Sequence, residues 1–163
     1  MAEPLSPEVP MTHAAARIVL ASDHAAIGLR QAIAAHIANR GWEAVDIGPT
    51  KPDSTDCPRH GEAAARRVAS GDCRLGIILC GTGQGIMMAA NKVKAIRCGV
   101  CAEPYSAAMI RAHNDANMLA LGARVVGEGL ALAIVDAFLT TDFEAGRHTA
   151  RVEMIKALEG QPS

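Results

Sequence analysis

Aromatic residues are nearly absent from this sequence. One Trp, one Tyr and two Phe occur among 163 residues, or 2%. That excludes a core organised round large rings. Half of the residues are nevertheless hydrophobic. The interior is therefore expected to be aliphatic and alanine-rich, with helices packed closely. An excess of charge of either sign is missing too: 16 basic against 17 acidic residues leave a formal net charge of −1. Nothing in that balance favours a nucleic acid or an anionic membrane as partner. No apolar run reaches the roughly 18–20 residues of a membrane span. The first residues, "MAEPLSPEVPMTHAAA", lack the basic start and apolar stretch of a secretory signal, and 1–16 reads as a disordered tail. Five cysteines, an odd number, follow no disulfide rhythm, which suits a reducing cytoplasm. The Cys98-x-x-Cys101 spacing matches a redox motif. It lies in an apolar, strand-like segment, however, where residues three apart face opposite sides.

What is present is alternation. Strand-like runs are expected at 17–21, 43–47, 75–79, 95–102 and 118–122. Helix-like stretches separate them at 24–39, 60–70, 105–112 and 128–140, and a last helix covers 147–159 with Val152, Ile155 and Leu158 along one face. Such alternation implies one α/β domain over 17–160: a Rossmann-like, three-layer αβα fold on a five-stranded parallel sheet. Ligands of such sheets bind beyond the C-terminal strand ends, near a switch in strand order. Ser22-Asp23-His24, Cys80-Gly81-Thr82-Gly83 and Glu103-Pro104-Tyr105 stand at such ends.

The segment "ILCGTGQGIMMAANK" (78–92) holds the densest chemistry. Its glycines fail the dinucleotide fingerprint, because the sixth position is Ile86, and fail the P-loop, because Lys92 follows no glycine. Gly81, Gly83 and Gly85 still let backbone N–H groups face a concavity, and a helix starting near Gly85 adds a positive dipole end. That arrangement suits a developing oxyanion, or is simply a tight turn. Cys80 beside it is a nucleophile, a general base or a small buried hydrophobe. Asp23 suits a helix N-cap as well as a ligand. His113 at a helix C-terminus is equally a dipole-stabilised surface residue. Arg147 and Arg151, at i and i+4, form either a phosphate clamp or a solvated basic face. Most of these residues are expected at one end of one sheet. No metal-ligand spacing stands out.

"ASDHAAIGLR", "ILCGTGQGIMMAANK", "EPYSAAMIRAHNDANMLALGARVVG" and "GRHTARVEMI" together resemble ribose-5-phosphate isomerase type B, within the family that includes galactose-6-phosphate isomerase subunits. The likeness spans roughly 17–158. It implies a cytoplasmic, metal-independent and cofactor-independent aldose–ketose isomerase of the pentose phosphate pathway. It also implies a homodimer or tetramer with active sites at the subunit interface. By position, Cys80 resembles the general base. Thr82, the amides of Gly81, Gly83 and Gly85, and Asn114 resemble the enediolate stabilisers. His113 resembles the ring-opening acid/base, and Asp23 a ligand of the sugar hydroxyls. His24, Arg124, Arg147 and Arg151 resemble the phosphate set. His113, Asn114 and Arg124 would come from the partner subunit.

Three positions depart from the pattern. Cys57 stands where the family usually has tyrosine, His60 where a second aromatic is common, and Ala26 where glycine follows S-D-H-A. A shorter wall at Cys57 leaves room for another sugar, so a hexose 6-phosphate or tetrose phosphate is a second substrate reading. A non-catalytic module for phosphorylated metabolites is a third. A thiol-redox protein is a fourth, and it needs a resolving thiol such as Cys57 near Cys80.

Overall fold

The computed structural model describes residues 16–160, so most of the tail expected over 1–16 lies outside the described residues. Five strands form one sheet: β1 (Arg17–Ser22), β2 (Glu43–Asp46), β3 (Leu75–Cys80), β4 (Cys98–Val100) and β5 (Met118–Gly122). Their order is β2-β1-β3-β5-β4, and every pairing is parallel. The helices are α1 (Ile27–Asn39), α2 (Cys57–Ala69), α3 (Gln84–Ala90), α4 (Pro104–Asn114), α5 (Glu128–Thr140) and α6 (Arg147–Ala157). A 3₁₀ turn, His24–Ala26, leads into α1.

Strand alternation sorts the core into two layers. Ile18, Leu20, Ile77, Leu79, Leu119 and Leu121 pack with α1, α4 and α5. Val19, Ala21, Ile78, Cys80, Met118 and Ala120 face α2 and α3. The expected three-layer αβα fold is thus the one found, and its core is aliphatic. Close helix packing is visible at Gly61, where a Cβ would stand 2.6 Å from the Ile86 carbonyl oxygen. Any larger residue there would push α2 off α3. Cys98 lies on the α2/α3 side and Cys101 on the other, so the pair straddles the sheet. Burial pushes both thiols up, that of Cys101 to about 11 with help from Glu103.

Three expectations shift. The fourth strand keeps only three of its eight residues: Ala95 takes a left-handed φ of +70°, and the Arg97 N–H goes to the Asn117 side chain rather than to a ladder carbonyl. Helix α2 starts at Cys57, three residues early, since Pro58 suits a first helical turn. On α6, Val152 is buried but Ile155 is 42% exposed, and Leu158, just past the helix, is 63% exposed.

The chain switches direction of winding between β1 and β3, and Arg30 braces that point. Its guanidinium is 1% exposed. It donates to Ser22 Oγ at 2.6 Å and to the Pro49 carbonyl at 2.8 Å, and pairs with Asp46 at 2.8 Å. One side chain therefore ties β1, β2 and the following loop. Arg30→Met is expected to lower unfolding free energy by about 3 kcal/mol, short of the upper end for a broken buried pair because Asp46 still meets water. Urea titration checks this, with an unchanged m-value expected.

Candidate active site

Two strand ends meet at the β1/β3 switch point, and the Asp23 N–H donates to the Leu79 carbonyl across it. Asp23 is buried, and its Oδ1 accepts from the Ala25 N–H at 2.9 Å. The N-cap role is therefore real, and Oδ2 is left for other partners. His24 Nδ1 accepts from the Thr55 N–H at 3.2 Å, which puts a neutral ring's proton on Nε2.

Cys80 closes β3 and is 5% exposed. Its Sγ accepts from the Gly83 N–H at 3.1 Å. That bond requires the left-handed turn at Gly83, φ +80°, where a side chain would be strained. One of the loop's amides is thus already committed to the thiol. Thr82 Oγ1 accepts from the Gln84 N–H at 3.4 Å, which leaves its hydroxyl hydrogen to donate elsewhere. Bonds from the Ala123 and Arg124 N–H groups to the Cys80 and Gly81 carbonyls fasten the loop to the segment after β5. The Arg124 guanidinium lies over Gly81, 3.3 Å from where a Cβ would sit. Arg124 accordingly stands beside its own chain's loop rather than with the residues expected from a partner.

Cys57 opens α2 at the same rim. Its Sγ, the Cys80 Sγ and an Asp23 carboxylate oxygen all lie within 4.8 Å of one another. Gly85 leaves the space, since a Cβ there would stand 3.3 Å from the Cys57 Sγ. Burial raises the Cys57 thiol pKa first, with the charges of Cys80 and Asp23 and a hydrogen bond to Cys80 adding to it. Burial also lowers His60, one turn along α2, against the opposing pull of Asp23.

The remaining predicted residues stand elsewhere. Helix α4 leaves the C-terminal edge at Pro104 and runs back to Asn114, a rise of about 15 Å. His113 and Asn114 therefore lie at the opposite end of the sheet from Cys80. There His113 stacks on His148, centroids 4.2 Å apart and planes 10° from parallel. Glu144 Oε2 is 3.7 Å from the Nε2 of both rings. Arg147 Nε lies 3.4 Å from His148 Nε2, and Arg151 follows one turn later. As expected of most of the set, Asp23, His24, Cys80, Gly81, Thr82, Gly83, Gly85 and Arg124 share one end, while His113, Asn114, Arg147 and Arg151 share the other. Sequence reasoning passed over Glu144 and His148, and left the Cys57–Cys80 contact open. Both three-donor groups draw on distant segments, and only the i, i+4 spacing of Glu144 and His148 marks either of them locally.

Among known proteins, the family model described as Ribose/Galactose Isomerase matches residues 18–155. Ribose-5-phosphate isomerase B of Escherichia coli is 48% identical over 143 residues, 88% of this chain and 96% of that protein. The solved structure of Clostridium thermocellum ribose-5-phosphate isomerase B is similar with a TM-score of 0.86 and 49% identity, covering 88% of this chain and 97% of the other. That of Mycoplasma genitalium ribose-5-phosphate isomerase B with bound ribulose-5-phosphate gives 0.86 at 38% identity, covering 90% and 97%.

The His113–His148 stack carries a pH dependence. Burial, then the nearby His113 and Arg147, hold the His148 pKa below its ordinary value. The unfolded chain therefore takes up a proton that the folded chain refuses. Stability is expected to be full above about pH 6.5 and to fall below it, as the unfolded imidazole charges. Thermal melts across pH 5–8 check this. His148→Gln should flatten part of the slope, with His60 supplying the rest.

Proposed function

The chain belongs to the Ribose/Galactose Isomerase family, and from that premise we propose that it interconverts an aldose phosphate and a ketose phosphate, D-ribose 5-phosphate and D-ribulose 5-phosphate. The observation that carries the reading is Cys80, held at a strand end by the Gly83 N–H within a loop of backbone donors. Once His113 has helped to open the sugar ring, the Cys80 thiolate takes the proton from C2 of the aldose. Charge passes to the C1 oxygen, giving an enediolate. Thr82, the amides of Gly81 and Gly85, and Asn114 stabilise that oxyanion. The Gly83 N–H serves the thiolate instead. A proton then passes from the C2 hydroxyl to the C1 oxygen. Returning the first proton to C1 completes the ketose, and the route needs no metal or cofactor. Asp23 binds sugar hydroxyls through its spare oxygen, while His24, Arg124, Arg147 and Arg151 hold the phosphate.

These residues form one site only if two copies of the chain combine. Eight residues of the set stand at one end of the sheet and four at the other, and the exposed Met154, Ile155 and Leu158 of the terminal segment support a self-association surface. We take the assembly to be a homodimer or a tetramer, with each 17–160 segment a single domain. Five free cysteines and the absence, among the described residues, of a helix fit to cross a membrane support a cytoplasmic setting.

A second substrate reading rests on Cys57, whose short side chain beside Cys80 leaves room for a hexose 6-phosphate. Comparison of kcat/KM across four-, five- and six-carbon sugar phosphates tests the assignment, with ribose 5-phosphate expected to lead. Cys80→Ala should lower kcat by on the order of 10³-fold or more while the circular dichroism spectrum stays unchanged. Ligand binding without proton exchange at C2 in deuterated water would instead support a binding module.

The interface assignment has its own test. Cys80→Ala and His113→Ala, each inactive, are mixed and allowed to exchange subunits. In a two-fold dimer half of the molecules become mixed and each mixed dimer rebuilds one site, so about a quarter of wild-type activity should return. No recovery after verified exchange would mean that Cys80 and His113 do not act across an interface.

A further inference from the structure

We propose that Asp23, Cys57 and Cys80 form a binding site for a thiophilic divalent cation of the zinc type. Three elements deliver the donors: the end of β1, the first turn of α2 and the end of β3. All three donor atoms lie within 4.8 Å of one another. Around a tetrahedral zinc with Zn–S near 2.3 Å, two sulfurs sit about 3.8 Å apart, so shifts of about 1 Å or less close the site. Two thiolates and a carboxylate are a suitable donor set for such an ion, and a fourth position stays open.

The surroundings fit a metal-bound state. Asp23 Oδ1 is held by the Ala25 N–H, which orients the carboxylate and leaves its second oxygen. The Gly83 N–H already points at the Cys80 sulfur, the usual outer partner of a ligated thiolate. On binding, each thiol loses its proton to solvent, so affinity rises with pH. His60, one turn from Cys57 on α2, is near enough to Asp23 to feel its charge. The other three-donor group, His113, Glu144 and His148, is less suited. Its stacked parallel rings aim their lone pairs side by side rather than at one point, and Arg147 stands against His148.

The binding claim rests on donor positions alone. Its consequence rests on the isomerase reading above: a cation on Cys80 occupies the electron pair that must take the C2 proton, so a filled site is a closed one. Cys57 is then a residue through which this chain's activity answers to soft metal ions.

The test uses the full chain, reduced and stripped with a chelator. Cadmium is titrated in while the ultraviolet thiolate-to-cadmium charge-transfer band is followed, and zinc is then added as competitor. One equivalent per chain, displaced by zinc, is expected. Cys57→Ser and Asp23→Asn should each weaken binding by on the order of 100-fold. Cys73→Ser should leave it unchanged. Absence of the band, cation uptake without thiolate absorption, or wild-type affinity in Cys57→Ser would each overturn the site. Because the readout needs no substrate, its failure is separate from failure of the isomerase reading.

Discussion

Every strand of the sheet runs in the same direction, and the placement of the chemistry is a result of that constraint. A parallel pair needs a crossover, so each helix returns the chain to the end at which the preceding strand began. Residues just past a strand gather at one end, and residues just past a helix gather at the other. Asp23, Cys80 and Arg124 stand at or just past strand ends. His113 and Asn114 close a helix, and Arg147 and Arg151 lie on α6 beside them. The separation of the two half-sites is therefore a property of the topology rather than of any local contact.

Within one end, strand alternation decides which groups meet. Cys80 belongs to the strand face turned toward α2 and α3. Helix α2 begins at that end with Cys57, so the two thiols approach beneath the glycine loop. Arg30 holds β1 to β2 behind them. The same face therefore carries the proposed base, its hydrogen-bond donor and the thiol on which the proposed cation site depends.

Much of this was legible in the sequence. β5 and α5 occupy the residues that apolar patterning indicates, because each is dominated by burial. The opposite-sided Cys98 and Cys101 are likewise a matter of strand geometry alone. The shortened β4 was not legible, because the Asn117 side chain that takes the Arg97 N–H acts across the fold rather than along the chain. Nor was the sorting of candidate residues between sheet ends, although the information was at hand: a helix ending at His113 must return it to the far edge. The closeness of Cys57 to Cys80 depends on the first turn of α2, where a proline reads locally as loop.

The contact between Gly61 and Ile86 has a mechanical consequence. Gly61 is the fifth residue of α2 and Ile86 the third of α3, so the helices touch near the ends that carry Cys57 and the glycine loop. A contact so placed sets the spacing of the two helices close to the chemistry, so the missing methyl group at one position governs how near the Cys57 end of α2 comes to the glycine loop.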